Sequence, residues 1–426
     1  MHTLAELRSG ALKGITRLTL SENLSVFPEE IFELAQSLEI LDLSNNALES
    51  VPDEISRLKK LKIAFFSNNN FTTLPSAFKN CEKLYMLGFK ANKIESFDED
   101  ILPLGISWLI LTDNKLTQLP RSIGKLHKLQ KCALAGNQIK TLPPEMAACR
   151  NLELLRLSAN RIEVLPSWLL KLPKLSWLAF SGNPCAAYEK FSHPKTPFTE
   201  LDVHERLGEG ASGEIFRGYS RVHEKEVAIK FFKGEVTSDG YAKDEMHACL
   251  SAGEHLHLIK VFSTIEGSER SGLLMEYIPA SYQNLGFPPD FESCTRDTFE
   301  KDKRFAIAAV YEVARAIASA AAHLHKRGLM HGDLYAHNIL IDAHNSCYLG
   351  DFGAATFYEK QNKGFEKIEV RAFGCLLDDL LSRCNEKELE IYKKLDELTE
   401  RCLSEEAEER PLFSQILYQM PLTLYT

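Results

Sequence analysis

The stretch Leu38-Glu-Ile-Leu-Asp-Leu-Ser-Asn-Asn46 has the pattern Leu-x-x-Leu-x-Leu-x-x-Asn, and this pattern returns along the first half of the chain, from Ile15 to Asn183. The asparagine that ends each of the eight units recurs every 22 or 23 residues, at Asn23, Asn46, Asn69, Asn92, Asn114, Asn137, Asn160 and Asn183. A period of this length, kept in one register, is typical of a repeat protein. We therefore predict that residues 1–183 form one domain of stacked repeats.

Each repeat is predicted to contribute one short strand, because its Leu-x-Leu core alternates inward-facing and outward-facing residues. One unit cannot bury its leucines alone, whereas stacked neighbours enclose them in a continuous core. The asparagine side chains are expected to bond backbone groups at successive turns, as an internal ladder. The pattern resembles the typical 23-residue class of leucine-rich repeats, and this resemblance implies a leucine-rich-repeat solenoid.

The outward strand positions of such repeats line a concave surface, and here they are unusually apolar. They are Ile40, Ile63, Phe65, Met86, Trp108, Ile110, Leu154 and Trp177. Protein surfaces rarely expose a large apolar patch, so we expect this face to meet a protein partner, a substrate or the chain's own second domain. The alternative is that these side chains simply pack against one another on the sheet.

Composition and charge narrow the class of protein. The chain has 426 residues and a formal net charge of -9, spread over sequence of mixed sign. It therefore offers no basic surface for nucleic acid, and its length favours two or three domains. The ten cysteines form no Cys-x-x-Cys pair, which indicates reduced thiols and a cytoplasmic location. We expect neither a secretory signal nor a membrane span, since no apolar stretch reaches about 18 residues without interruption.

A second domain is predicted after the repeats. The period stops after Asn183, and residues 184–200, which include three prolines, are predicted to be a short connector to a domain at 201–426. The first element of that domain, Leu207-Gly-Glu-Gly-Ala-Ser-Gly-Glu-Ile215, sets three glycines between two strand-like segments. Glycines let a loop approach phosphate closely, although the same pattern occurs in ordinary hairpin turns.

An apolar strand, Val227-Ala-Ile-Lys230, follows the glycine loop and ends in a lysine that is placed to reach phosphate oxygens. A lysine on a strand is usually only solvated. Together with the glycine loop, however, this strand resembles the nucleotide-binding part of eukaryotic-type protein kinases, and the resemblance covers the chain from Leu201 onward. It implies a bilobal, kinase-like α+β domain after the repeats, and hence an α/β protein overall.

The resemblance also implies how ATP is bound. Glu245 would pair with Lys230 and hold it against the nucleotide, with Asp244 as the alternative partner. Met275 would be the gatekeeper before the hinge. The residues implied to contact the nucleotide are Leu207, Gly208, Glu209, Gly210, Gly213, Ile215, Ala228, Lys230, Glu245, Met275, Glu276 and Ile278.

The catalytic residues are implied by two stretches, His331-Gly-Asp-Leu-Tyr-Ala-His-Asn338 and Asp351-Phe-Gly353. Phosphoryl transfer needs an aligned nucleophile and neutralised charge more than covalent help. By the resemblance, Asp333 would orient the attacking hydroxyl or accept its proton. Asn338 and Asp351 would bind Mg²⁺, which prefers carboxylate and amide oxygens.

Two further residues and one helix complete this picture. Lys230 joins Asp333 and Asn338 in the implied catalytic set, and His331 is expected to brace the loop rather than to take part in the chemistry. The apolar period from Phe305 to His325 predicts a buried helix before the loop.

Three features depart from the protein-kinase pattern. Gly332 stands where an arginine is usual, which argues against control by phosphorylation of an activation loop. Tyr335 stands where serine/threonine kinases carry lysine, and His337 is the candidate to supply part of the missing charge. No Ala-Pro-Glu segment follows Asp351, and a helix-like stretch begins as early as Glu369. The platform on which a peptide substrate usually docks is therefore shortened or absent.

The favoured function is ATP-dependent phosphorylation of a protein serine or threonine, with the repeats recruiting the substrate or regulating the enzyme. Two alternatives stay open. The His-Gly-Asp-Leu loop also resembles small-molecule kinases of the aminoglycoside and sugar kind, which lack leucine-rich repeats. A scaffold that binds nucleotide but turns over little is the other alternative.

Overall fold

The computed structural model of the chain describes residues 1–187, 193–210, 212–234 and 239–420. The chain folds as two compact units. The first contains Met1–Leu172 and Asn183–Cys185, and the second contains Pro173–Gly182 and the chain from Ala186 onward. The predicted boundary after residue 183 is thus displaced, because the strand segment of the eighth repeat belongs to the second unit.

The first unit is built from the repeats. It begins with helix α1 (Leu4–Arg8), followed by the strands β1 (Arg17–Thr19), β2 (Ile40–Asp42), β3 (Ile63–Phe65), β4 (Met86–Gly88), β5 (Trp108–Ile110), β6 (Lys131–Ala133) and β7 (Leu154–Arg156). Each strand pairs in parallel with the next, so that Leu41 lies beside Ala64 and Leu109 beside Cys132. The central residue of every one of these strands is buried, which gives the continuous core expected of stacked repeats.

The return segments of the first unit contain 3₁₀ helices at Glu29–Leu34, Asp53–Arg57, Ser76–Asn80, Arg121–Lys125, Pro144–Ala148 and Ser167–Lys171. A proline stands immediately before each of them. Proline suits this place because its φ is already fixed near the helical value and it carries no N–H that would remain unbonded.

Asparagine side chains tie neighbouring repeats together, as the sequence predicted. Asn137 donates from Nδ2 to the carbonyls of Leu111 and Leu134, both at 2.9 Å, and its Oδ1 accepts from the Leu116 N–H at 3.0 Å. The equivalent bonds are made by Asn46, Asn69, Asn92, Asn114 and Asn160. Asn23 differs, because it is exposed and has a left-handed backbone with φ of 55°.

The apolar outer positions of the strands are buried or half-buried. Ile63, Met86, Leu154 and Trp177 are buried, and Ile40, Phe65, Trp108 and Ile110 are half-buried. Phe65 and Ile110 lie over Gly88, since a Cβ built there would be 2.7 Å from Phe65 Cδ1 and 3.7 Å from Ile110 Cδ1. These two side chains therefore pack on the sheet, as in the alternative stated above, while part of each stays accessible.

The second unit begins with the eighth repeat strand and continues with a mixed sheet and one helix. These elements are β8 (Trp177–Ala179), β9 (Lys195–Pro197), β10 (Leu201–Glu209), β11 (Gly213–Ser220), β12 (Lys225–Phe232), α2 (Ala242–Ala252), β13 (Val261–Glu266) and β14 (Gly272–Glu276). Strands β9 to β14 form a six-stranded sheet in the order β10-β11-β12-β14-β13-β9. Val227, Ile229 and Leu274 form the centre of its core.

Part of the predicted connector is folded into this sheet. Residues 195–197 pair in parallel with β13, and the buried hydroxyls of Thr196 and Ser263 lie 2.6 Å apart. The prediction of a connector over 184–200 is wrong for these residues, because strand pairing satisfies their backbone groups. Residues 188–192 lie outside the described part of the chain.

The rest of the second unit is mainly helical and carries three short strand pairings. Its elements are β15 (Gln283–Asn284), α3 (Ile307–Lys326), β16 (Leu329–Met330), β17 (Ile339–Ile341), β18 (Cys347–Leu349), β19 (Thr356–Phe357), α4 (Gly364–Ser382), α5 (Glu390–Cys402) and α6 (Phe413–Gln419). Strand β17 lies between β15 and β18, and β16 pairs with β19.

Helix α3 is the buried helix that the apolar period predicted. Val310, Ile317 and Leu324 along one side are at most 1% exposed. By length and composition alone α3 could also cross a membrane, but 61% of its apolar window is buried inside the protein. Such burial is also found in the core helices of folded domains.

Candidate active site

The glycine loop joins two antiparallel strands, β10 and β11. The Gly210 N–H donates to the Gly213 carbonyl at 2.9 Å. Gly213 must lack a side chain, because a Cβ there would lie 2.3 Å from the Phe231 carbonyl oxygen, whereas a Cβ at Gly208 or Gly210 would meet no atom within 4 Å. The loop therefore has open space next to Gly208 and Gly210. Ala211 lies outside the described residues.

The predicted partners Lys230 and Glu245 form a buried ion pair. Lys230 Nζ donates to Glu245 Oε1, and the side chains are 11% and 3% exposed. Burial by itself would lower the pKa of Lys230, but the nearby carboxylates of Glu245 and Asp351 outweigh it and the pKa is raised. Lys230 therefore carries a fixed positive charge that faces both carboxylates.

A cavity lies beside this pair. Its lining includes six of the predicted ATP-binding residues, namely Gly210, Gly213, Ile215, Lys230, Glu245 and Met275, and also Asp351. Sequence reasoning missed Asp239, Cys249 and Phe352, which line it as well. Among the described residues, the lining of the cavity combines apolar side chains with one lysine and three carboxylates. This composition suits a ligand that has an apolar part and a charged part.

The other predicted nucleotide contacts lie outside this lining. They are Leu207, Gly208, Glu209, Ala228, Glu276 and Ile278. Glu209 bonds Lys233 and Arg206 instead, and the Glu276 N–H donates to the Lys260 carbonyl at 2.8 Å. That N–H is therefore committed to the sheet.

The stretch from His331 to Asn338, called the catalytic loop below, brings Asp333 and Asn338 together. Asn338 Nδ2 donates to Asp333 Oδ2 at 2.8 Å and to the Asp333 carbonyl at 2.9 Å. The carbonyl of Asn338 accepts from the Gly350 N–H at 2.9 Å, one residue before Asp351. One hydrogen-bonded chain thus connects the three residues that were predicted to orient the hydroxyl and to bind the metal ion.

His331 braces this arrangement. Its Nε2 lies 2.8 Å from the Gly350 carbonyl, and its Nδ1 accepts from the Asp333 N–H at 3.3 Å. The two contacts require a neutral ring with the proton on Nε2. The ring also packs on Phe352, with centroids 5.0 Å apart.

Asp351 has an unusual backbone. Its φ is 54°, a left-handed conformation that costs a non-glycine residue about 1–2 kcal/mol. Its Oδ1 accepts from the Gly353 N–H at 3.1 Å, and its side chain is exposed. The turn therefore presents a carboxylate to the cavity at an energetic cost, as often occurs at functional sites.

Two acidic residues, Glu369 and Asp297, hold the backbone of the catalytic loop in place. Sequence reasoning did not assign either of them to the site. Glu369 accepts from the N–H groups of His331 and Gly332, at 3.2 and 2.7 Å. Asp297 accepts from the Ala336 N–H and lies 2.6 Å from His337 Nδ1. No motif marks either acid, and the sequence signal nearest to one of them was the helix-like stretch that begins at Glu369.

Burial would raise the pKa of the Glu369 carboxylate. The hydrogen bond and charge of His325 and the bond from the Gly332 N–H more than compensate, so the pKa is lowered. The carboxylate is therefore ionised, which suits an acceptor of several N–H bonds.

Replacing Glu245 by Gln is expected to reduce the free energy of unfolding by about 3 kcal/mol, because it leaves the buried Lys230 charge without its closest carboxylate. Affinity for Mg-ATP should fall as well, since Lys230 would no longer be held at the cavity. The measurements are thermal unfolding followed by circular dichroism, and calorimetric titration with Mg-ATP.

The matched control for that change is Glu266→Gln, which breaks the exposed pair with Lys195, where the side chains are 61% and 59% exposed. Such surface pairs contribute at most about 1 kcal/mol. Equal effects of the two substitutions would show that the buried pair has no special role.

Comparison with known proteins places these residues in a family context. A family model for the protein kinase domain matches residues 201–375, and a leucine rich repeat model matches residues 36–94. The first match spans the glycine loop, Lys230, Glu245, the catalytic loop, Asp351 and Glu369.

Several curated kinases are similar to part of the chain. NUAK family SNF1-like kinase 1 of Homo sapiens is 29% identical over 164 residues, or 37% of this chain and 23% of that protein. Cyclin-dependent kinase 11.1 of Caenorhabditis elegans is 27% identical over 176 residues, or 40% of this chain and 23% of that protein. Serine/threonine-protein kinase PknD of Chlamydia caviae is 26% identical over 184 residues, or 42% of this chain and 20% of that protein. The matched part of the chain thus spans less than a quarter of each of these relatives.

Proposed function

We propose that this chain, which joins leucine-rich repeats to a protein kinase domain, transfers the γ-phosphate of ATP to a serine or threonine hydroxyl of a protein. The observation that carries the proposal is the hydrogen-bonded link from Asp333 through Asn338 to the turn that presents Asp351. The similarity to PknD of Chlamydia caviae, which is named a serine/threonine-protein kinase, supports the choice of hydroxyl.

The residues of the site fit Mg-ATP. Asn338 uses its amide nitrogen to bond Asp333, which leaves its amide oxygen, together with the Asp351 carboxylate, as a ligand for Mg²⁺. Lys230 would neutralise phosphate charge, and the open space at Gly210, which lines the cavity, would admit the phosphates. When bound, Mg-ATP supplies the phosphoryl group and the ion neutralises its charge.

Asp333 would act on the attacking hydroxyl. Its Oδ2 is fixed by the Asn338 amide, so the carboxylate cannot rotate freely, and the hydroxyl is held in one orientation toward the phosphorus. Fixed orientation reduces the entropic part of the barrier, and the carboxylate accepts the hydroxyl proton as the bond forms. The bonds from His331, Glu369 and Asp297 keep the loop in place during this step.

Asp333→Asn should lower kcat by about 100- to 10,000-fold, the range for loss of a positioned acid–base group, with little change in affinity for Mg-ATP. The measurement is transfer of labelled γ-phosphate to a mixture of proteins, followed by phosphoamino acid analysis. Asp396→Asn, an exposed position on α5, is the control. Full activity of Asp333→Asn would exclude the proposed role.

A small-molecule kinase is the second candidate. It is favoured by the shortness of the activation segment, which runs from Asp351 to Gly364. Helix α4 already begins at Gly364, shortly after β19 ends at Phe357, so little chain is available to bind a peptide. In the same assay, label that enters a hydroxylated metabolite and no protein would select this candidate. Nucleotide binding with no transfer to either would select the scaffold.

We further infer that His337 supplies part of the charge that a lysine would bring. Burial would lower the pKa of His337, but its bond to Asp297 and the charges of Asp297, Asp333 and Asp351 raise it. The imidazolium is therefore present below this raised pKa, beside the reacting groups, and is lost as the pH rises through it.

The rate of phosphoryl transfer should accordingly fall as the pH rises through the raised pKa of His337. His337→Gln should lower kcat by about 100-fold at lower pH, the lower end of the cost of removing one group that stabilises charge in the transition state, and should remove this limb of the pH profile. His344→Gln, an exposed histidine in a turn, should keep the limb. An unchanged profile for His337→Gln would contradict the proposal.

We infer that the repeats stack as a solenoid, that the kinase domain joined to them is bilobal, and that the protein acts in the cytoplasm. We also infer that the strand face of the repeats recruits the protein substrate. The half-buried Ile40 on β2 and Ile110 on β5 support recruitment, because partly exposed apolar side chains on one face of a sheet can enter the apolar core of an interface.

Ile40→Glu and Ile110→Glu should lower the rate on the protein substrate several-fold through KM, while nucleotide affinity stays unchanged. The matched control is Val164→Glu, at a position that is 75% exposed and lies outside the strands. Steady-state kinetics on a purified substrate would measure the effect, and an unchanged KM would remove the strand face as the recruiting surface.

A further inference from the structure

The eighth repeat strand touches the catalytic loop. Trp177, at the start of β8, is 1% exposed, and its ring stacks on Tyr335 with centroids 4.4 Å apart and planes inclined by 6°. Its Nε1 donates to the Leu334 carbonyl at 3.2 Å. Leu334 and Tyr335 directly follow Asp333, so one tryptophan contacts both residues next to the catalytic carboxylate.

The same strand explains why residue 332 is glycine. Gly332 has a φ of 73°, and a Cβ there would lie 2.7 Å from the Leu178 carbonyl oxygen and 2.6 Å from that of Ala354. An arginine at this position would clash with β8 and would also strain the backbone. The strand occupies the space beside the loop.

Three further contacts tie the segment Pro173–Gly182 to the surroundings of the loop. The Phe180 N–H donates to Thr356 Oγ1 at 3.2 Å, and the Phe180 ring stacks on Phe365 at 5.2 Å. Arg410 Nη2, on a side chain that is 2% exposed, donates to the Pro173 carbonyl at 2.7 Å. The segment thus contacts the catalytic loop, β19 and α4 at once.

Between Asp351 and Gly364 the activation segment has no accessible hydroxyl that could be phosphorylated. Between Asp351 and Gly364 the hydroxyl-bearing residues are Thr356 and Tyr358, and both are buried. Thr356 accepts the bond from Phe180, and the Tyr358 hydroxyl lies 2.7 Å from His325 Nδ1. Phosphorylation of either would have to break packing that already exists.

We propose that Trp177 is a positioning residue for Asp333, and that the eighth repeat strand fixes the catalytic loop without phosphorylation of the activation segment. The inference rests on the proposed phosphotransfer function. Through the stack on Tyr335 and the bond to Leu334, Trp177 holds the backbone that follows Asp333. Displacement of a reacting group by about 1 Å costs about 100-fold in rate, so this backbone has to be held firmly.

The test uses the full chain with Trp177→Ala, Trp177→Phe and the control Trp168→Ala, which removes a half-buried tryptophan from a 3₁₀ helix of the repeats. We expect Trp177→Ala to lower kcat by about 10- to 100-fold and to leave KM for ATP unchanged, because Trp177 does not line the nucleotide cavity. Trp177→Phe, which keeps an aromatic ring on Tyr335, should restore most of the rate. Trp168→Ala should resemble the wild type, as should wild-type enzyme treated with phosphatase.

A double-mutant cycle with Tyr335→Ala tests whether Trp177 acts through the stack. The two substitutions should be non-additive in kcat, since either one alone removes the stack. If Trp177→Ala does not fold, Tyr335→Ala and Trp177→Phe alone give the answer, because both leave the rest of the segment intact. The inference would be overturned by additive effects on kcat or by a changed KM with an unchanged kcat. Loss of wild-type activity after phosphatase treatment would overturn it as well.

Hydrogen exchange separates this inference from the proposed function. Amides of residues 331–336 should lose protection in Trp177→Ala and keep it in Trp168→Ala, whether or not phosphate is transferred. A wild-type chain that transfers no phosphate would remove the proposed function only. Unchanged protection in Trp177→Ala would remove the positioning role only.

Discussion

The catalytic loop depends on one buried carboxylate. Glu369 is 1% exposed, accepts from the N–H groups of His331 and Gly332, and lies 2.8 Å from His325 Nε2. If the carboxylate were removed, two buried donors and a histidine would lose their partner together, and each unsatisfied buried donor costs about 1–3 kcal/mol. Because Asp333 follows these two residues directly, its position is set by a bond to helix α4 rather than by the loop itself.

The loop is held on its other sides by groups from separate elements. His331 links it to Gly350, Asp297 bonds Ala336 and His337, and Trp177 stacks on Tyr335. None of these contacts uses the Asp333 carboxylate, so they can hold the loop firmly without blocking the substrate. A site supported in this way is already organised before the substrate arrives, which is where most of the rate advantage of fixed polar groups originates.

The sequence was sufficient for what is repeated or patterned, and insufficient for what depends on long-range contacts. The ladder was predictable because the same asparagine returns at every turn, and the pairing of Lys230 with Glu245 followed from their place in the kinase pattern. Asp297 and Glu369 were not assigned to the site, because a single acid in ordinary sequence carries no signal until the fold shows which N–H groups it meets. The eighth repeat has the same pattern as the other seven, and only the fold shows that its strand segment, Pro173–Gly182, belongs to the second unit.

Two departures from the kinase pattern, at residues 332 and 335, have one structural cause, which is contact with strand β8. At residue 332 the chain must be left-handed and must leave room for the Leu178 carbonyl, so an arginine and the strand β8 exclude each other. At residue 335 a ring stacks face to face on Trp177, and a lysine would not replace that stack. The residue that could dock a phosphate and the residue that could bring a positive charge are thus both replaced by groups that receive the repeat strand.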